Sequence, residues 1–226
     1  MDSLILNIET TTKNCSVSLS KNGELIALKE LNEGGYSHAE NLHPFIELVL
    51  QESNHDYKDL SAIAVSKGPG SYTGLRIGVS AAKGLCFALD KPLIATDTLK
   101  ALAMSIKVNE GVIIPVLDAR RMEVYQAIFD SDYNSLETTS AQVIEEGSYD
   151  NYLSKGKVTF VGDAVEKLQS IIKHPNATFI DNKLPSAKEM LILSYQKFQN
   201  KDFEDVAYFE PYYLKDFVGV KSVKKH

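Results

Sequence analysis

The chain has no tryptophan, and its only two cysteines are Cys15 and Cys86. Two thiols far apart in sequence, each within an apolar pattern, suit buried free thiols of a reducing compartment and not a disulfide framework. Long hydrophobic runs are also missing. The stretch Leu4 to Ile8 stops at Glu9, far short of the roughly 18 residues that would span a bilayer, which excludes a membrane-inserted helix. Basic charge is in deficit, with 24 Lys and Arg against 30 Asp and Glu and a formal net charge of −6, so tight unaided binding of a polyanion is disfavoured as a bulk effect. The opening Met1, Asp2, Ser3 puts an acidic residue where a secretory signal has basic ones, so cytoplasm is the expected location.

What is present is an ordinary folded composition. Hydrophobic residues make up 44% and charged residues 24%, which argues against disorder. At 226 residues the chain can form one large domain or two small ones.

The hydropathy pattern supplies the organisation. Leu4 to Glu9 reads as a buried strand. Cys15, Val17 and Leu19 alternate with Ser16, Ser18 and Ser20 as in a half-buried strand, and Asn22-Gly23 turns the chain into a third strand, Glu24 to Lys29. After a break at Gly34 to Ser37, Leu42, Phe45, Ile46, Val49 and Leu50 recur with helical spacing. Either Ser37 caps this helix, with Pro44 inside it, or Asn41 does, with Pro44 in the first turn. Leu60 to Ser66 forms a strand, a glycine loop leads into a long helix to about Leu89, Pro92 to Thr96 is a strand, and Asp97 caps a helix through Ser105. The order βββαβαβα is that of a ribonuclease H or actin-like half-domain. Strands then resume at Val112 to Leu117, Glu123 to Phe129, Thr139 to Val143 and Val158 to Val161. Helices follow near Ala164 to Lys173 and Ala187 to Phe198, a loose repeat of the first half. The expected domains are residues 1–108 and 109–226, the second ending in a basic tail of Lys215, Lys221, Lys224, Lys225 and His226 that is a candidate RNA contact.

Several chemistries are missing at the motif level. The loop Gly68-Pro69-Gly70-Ser71-Tyr72-Thr73-Gly74 has no Gly-Lys-Ser/Thr, its third glycine is one position late for a dinucleotide fingerprint, and Ser71 lacks the glycine two residues earlier that a nucleophile elbow needs. The chain has no His-Glu-x-x-His. His38 and His43 are five residues apart, about 140° on a continuous helix, so they would not share a metal. His38 is expected as a capping or surface residue.

The run Gly68-Pro69-Gly70-Ser71-Tyr72-Thr73-Gly74-Leu75-Arg76-Ile77-Gly78, followed by Ala82-Lys83-Gly84-Leu85, resembles the signature of the bacterial TsaB family, also called YeaZ. Ile8-Glu9-Thr10-Thr11, Cys15 to Leu19, Ser37-His38-Glu40-Leu42, Asp118-Ala119-Arg120-Arg121-Glu123-Val124-Tyr125 and Pro211-Tyr213-Leu214 resemble further blocks of it, in order. The resemblance implies two actin-like (ASKHA, ribonuclease H-like) α/β domains. It also implies a non-catalytic subunit that pairs with TsaD, or with itself as a homodimer, with the ATPase TsaE joining the complex. That complex makes threonylcarbamoyladenosine at adenosine 37 of tRNAs reading codons that begin with A. No catalytic residue, cofactor or metal of its own is implied.

The residues agree with inertness. Glu9-Thr10-Thr11-Thr12 and Asp118-Ala119-Arg120-Arg121 stand where an actin-like ATPase has two glycine-rich phosphate turns, and neither contains glycine. The rival functions are therefore an active actin-like ATPase or phosphotransferase, or an M22-type metallopeptidase. The helix after the glycine loop is apolar or small over roughly 220° of arc, wider than one core face needs. It is either sandwiched within its own domain or faces a partner. The resemblance favours the partner, with Leu42, Phe45, Ile46 and Val49 of the first helix and Gly74, Leu75, Gly78, Val79, Ala82 and Cys86 of the second as the interface. Arg120 and Arg121 are candidates for RNA or interdomain contact.

Overall fold

A computed structural model describes residues 2–32 and 38–215. The break at Gly34 to Ser37, the proposed Ser37 cap, and Lys221, Lys224, Lys225 and His226 of the tail lie outside the described residues.

The first half forms β1 (Leu4–Glu9), β2 (Cys15–Lys21), β3 (Glu24–Leu31), α1 (His38–Glu52), β4 (Ala62–Ser66), α2 (Tyr72–Leu89), β5 (Leu93–Thr96) and α3 (Thr98–Met104). Asn22 and Gly23 take the left-handed backbone that the β2–β3 hairpin turn requires. α1 begins at His38, so Asn41 is not its cap and Pro44 lies within the helix. The second half forms β6 (Val112–Asp118), β7 (Glu123–Asp130), β8 (Ser135–Val143), α4 (Asp150–Leu153), β9 (Val158–Val161), α5 (Val165–Ile171), β10 (Ala177–Ile180) and α6 (Leu191–Gln199).

Each half builds a five-stranded sheet, and the two have the same topology. The first runs β3-β2-β1-β4-β5 and the second β8-β7-β6-β9-β10. In each, the opening strand pairs antiparallel with the next, that one antiparallel with the third, and the two remaining strands add in parallel on the other side. Parallel neighbours need crossover connections, which α1 and α2 supply in the first lobe. α1 and α2 cover one face of the first sheet with Leu42, Ile46, Val49, Val79, Ala82 and Cys86 packed on Leu6, Ile8, Val17 and Val65. α4 and α5 cover one face of the second sheet through Leu153, Val165 and Leu168. α3 sits between the sheets, with Leu99 and Leu102 packed on Ile113, Leu117 and Val161.

The second half does not stay with the second sheet. Residues 185–199 return to the uncovered face of the first, where Ala187 and Met190 join Ile5, Ala62, Ala64 and Ile94. Ser16, Ser18 and Ser20 are buried for this reason, although their alternation reads as a solvent face. Ser18 Oγ donates to the Ala187 carbonyl at 2.9 Å, Ala187 N–H donates to Ser16 Oγ at 3.0 Å, and Ser194 Oγ donates to Asn7 Oδ1 at 2.6 Å. Small hydroxyls let a strand face be polar in sequence and dry in the fold, because each is paired, Ser16 and Ser18 across the seam and Ser20 within the sheet to the Ile5 carbonyl and the Asn7 amide.

Candidate functional site

Two regions answer to the residues singled out in the sequence: the glycine loop with its two helices, and the cleft between the lobes. The loop is built on contact with the turn after β1. A Cβ added to Gly70 would meet the Thr11 carbonyl oxygen at 2.3 Å, one on Gly74 the Thr10 carbonyl oxygen at 2.0 Å, and one on Gly78 the Thr10 Oγ1 at 2.2 Å. These glycines are therefore required by backbone approach. Ser71 N–H donates to the Thr11 carbonyl at 2.6 Å, and Thr10 Oγ1 donates to the Gly74 carbonyl at 2.8 Å. Ser71 also caps α2 by accepting from Gly74 N–H. A helix N-terminus after a glycine loop attracts anions, but here a threonine carbonyl already occupies the loop's Ser71 donor.

Beneath this turn Glu9 is fully buried, and its Oε1 accepts from Thr11 N–H and Thr11 Oγ1 at 2.6 Å each. Burial pushes its carboxyl above the ordinary range. His38 is not the surface or capping residue expected from the sequence. It is 1% exposed, with Nε2 donating to the Thr12 carbonyl at 2.7 Å, and burial lowers its pKa. It sits under the threonine turn, whereas His43 is exposed. Among the described residues no group of three or more His, Cys, Asp or Glu side chains is placed to hold a metal ion.

The fold places the residues named from sequence as an interface mostly inside the first lobe. Leu42, Ile46, Val49, Gly74, Leu75, Gly78, Val79, Ala82 and Cys86 are all buried within the chain's own first lobe, and Phe45 is half-buried against the same core. The wide apolar arc of α2 is used on one side by the sheet, at α1 and at the threonine turn. Burial pushes the Cys86 thiol up to about 12, so it stays a neutral core side chain. The exposed positions on these helices are others. Phe87 is 86% exposed, Leu48 is 38% exposed, and a Cβ on Gly84 would meet nothing within 4 Å.

The second region is a cleft of about 750 Å³ between the lobes. One wall is the glycine loop with Thr11, Thr12 and Tyr72, and the other is the β6–β7 hairpin with Asp118, Arg120, Arg121 and Tyr125. Tyr213 and Lys215 close one side. Arg120 and Arg121 therefore do reach the interlobe space. Neither guanidinium has an ion-pair or hydrogen-bond partner among the described residues, so the salt bridge that a turn arginine usually makes is not formed. Asp118 pairs with Lys167 at 2.6 Å instead, and Glu123 pairs with Lys215. Sequence reading missed Tyr72 and Tyr125 as lining residues, and Lys215, named there only as part of the basic tail, reaches the cleft because the chain end returns across it.

Two sheets of duplicated topology, facing each other across a cleft with a strand-to-helix glycine loop on one wall, define the actin-like class of α/β proteins. A family model described as TsaD, tRNA N6-adenosine threonylcarbamoyltransferase, matches residues 33–219. The chain is 31% identical over 227 residues to the tRNA threonylcarbamoyladenosine biosynthesis protein TsaB of Escherichia coli, covering 97% of each. It is 29% identical to the TsaB of Haemophilus influenzae, covering 97% of this chain and 96% of that one. The solved structure of YeaZ from Pseudomonas aeruginosa superposes with a TM-score of 0.80 at 24% identity, covering 94% of this chain and 100% of that chain. The chain belongs to the TsaB (YeaZ) family, within the broader group that the transferase model describes. No helix among the described residues is long and apolar enough to cross a membrane.

Proposed function

We propose that this chain is a non-catalytic subunit that pairs with TsaD and, with TsaE joining the assembly, supports threonylcarbamoyl transfer to adenosine 37 of tRNAs reading codons that begin with A. The observation that carries this reading is the seating of Thr10 and Thr11 on the glycine loop, where Thr11 takes the Ser71 N–H that an anionic ligand would use. A lobe closed in this way keeps the outline of a phosphotransferase without the loop's donor, which suits a scaffold better than a catalyst. The full-length likeness to proteins named for threonylcarbamoyladenosine biosynthesis supports the process.

The partner face in this proposal is the exposed side of α1 and α2, carrying Leu48, Gly84 and Phe87, while the buried residues of the same helices hold that face in place. A bare phenylalanine beside a side-chain-free glycine offers an aromatic anchor next to a place where another backbone can approach. The same face would join two copies of this chain when TsaD is absent. We also propose that residues 185–215 belong energetically with the first lobe, although they follow the division at residues 108–109 in sequence.

The test is reconstitution of tRNA modification from TsaD, TsaE, tRNA and the threonylcarbamoyl-adenylate donor, with and without this chain. Modification is expected to fall to background when it is omitted. Full-rate modification in its absence would overturn the reading.

A further inference from the structure

Arg120 and Arg121 both hold left-handed backbone, with φ of 71° and 51°, at the β6–β7 turn. Such a conformation is uncommon for a residue with a long side chain, and two in succession concentrate strain at one hairpin. The strain accompanies a specific placement, since both guanidinium groups line the interlobe cleft with no acidic partner among the described residues. Of the carboxylates that line the cleft, Asp118 is held by Lys167 and Glu123 by Lys215, while Asp163 accepts from the Asp118 N–H at 2.9 Å. In a chain of net charge −6, two cations on one turn with no acidic partner among the described residues form a local exception to the field of the molecule.

The same cleft presents flat rings, from both of its walls and from the chain end that closes one side. Tyr72 and Tyr213 lie with centroids 5.0 Å apart and planes tilted by 35°, and Tyr213 is 38% exposed. Tyr125 lines the cleft beside Lys215, whose ammonium is 5.8 Å from the Tyr125 ring centroid. Paired cations and tyrosine rings lining one cleft suit a phosphodiester joined to an unstacked base, the combination by which proteins hold single-stranded RNA. A triphosphate seated in the manner of an ATPase fits less well, because the glycine loop's Ser71 N–H is taken by Thr11 and no metal-holding cluster occurs among the described residues.

We propose that the interlobe cleft is an RNA contact site, in which Arg120 and Arg121 bind backbone phosphate and Tyr213 stacks a base of an unpaired segment. The choice of RNA over a free nucleotide rests on the tRNA-modification reading above, but the two fail separately. Reconstitution tests whether the chain is needed, and direct binding tests whether it touches RNA.

The experiment measures binding of the full chain to a short single-stranded oligoribonucleotide, Mg-ATP and inorganic phosphate by fluorescence anisotropy and calorimetry over a range of salt. The oligoribonucleotide is expected to bind at low salt. The Arg120→Gln/Arg121→Gln variant should bind it at least about tenfold more weakly, with the slope of log affinity against log salt reduced by about 1.4 for two lost phosphate contacts on a single strand. Arg120→Lys/Arg121→Lys should keep most of the salt slope. Tyr213→Ala should weaken the oligoribonucleotide without changing the slope, and circular dichroism checks that each variant folds. Unchanged affinity in the double Gln variant would overturn the proposal. So would binding of Mg-ATP in preference to RNA, or no RNA binding at low salt.

Discussion

Glycine plays two opposite roles on α2, and single residues separate them. At Gly78 the space where a side chain would begin is occupied by Thr10 Oγ1, while at Gly84 it is empty. Gly78→Arg should therefore lose more than about 3 kcal/mol of stability or fail to fold, a loss of fit and not of a partner contact. Gly84→Arg should leave the thermal midpoint unchanged or raise it, since removing an exposed helical glycine is worth up to about 1 kcal/mol, yet it should abolish pairing with TsaD in a pull-down. Equal pairing by a well-folded Gly84→Arg would remove α2 from the proposed interface. Glu189 supplies a pH test at the same scale. Burial pushes its carboxyl up to about 7, so the folded chain binds a proton there more readily than the unfolded chain, whose value is near 4.5. The associated stability is full below the unfolded value and is lost as pH rises toward the folded one. Glu189→Gln should thus match the parent in thermal midpoint near pH 4 and exceed it near pH 8.

Among the elements, the end of the chain is the most informative, because it contains little regular structure and holds much together. After α6, Glu204 N–H donates to the Leu93 carbonyl at 2.9 Å, Tyr212 N–H donates to the Lys67 carbonyl at 2.8 Å, and Lys83 Nζ donates to the carbonyls of Ala207 and Phe209 at 3.1 and 2.9 Å. The strap then reaches the second lobe, where Lys215 meets Glu123. Lys83→Met removes the two side-chain bonds while keeping an apolar stem of similar length. It should cost about 1 kcal/mol, because the ammonium is partly solvated. In hydrogen exchange, the amides of Glu204 and Tyr212 should quicken and those of β6 should not. Uniform quickening across both lobes would mean that the strap is not a separate unit.

At the scale of the whole molecule, local pattern and long-range return can be told apart. A short apolar run made β1 legible and period-2 alternation β2, the β-branched Ile63 and Val65 marked β4, and the glycine loop with its following helical run marked α2, because each of these signals lies within one element. β10 was not legible. Ala177–Ile180 is a short strand with an alternation too brief to rise above a loop, and it becomes a strand only by pairing with β9. α4, a single turn at Asp150–Leu153, escaped for the same reason of length. The candidate site divided along the same line. That Gly70, Gly74 and Gly78 are required by close approach of the threonine turn after β1, while Gly84 meets nothing within 4 Å, depends on the positions of residues far apart in sequence. Likewise Arg120 and Arg121 stood out as a glycine-free turn, while their sharing a cleft with Tyr213 depends on the last described residues crossing it. Sequence by itself determined the two duplicated α/β halves, the family, and the missing phosphate turns. Only the tertiary structure decided which apolar residues are core and which are free to meet a partner, because a helix records the width of its apolar face and not which neighbour covers it.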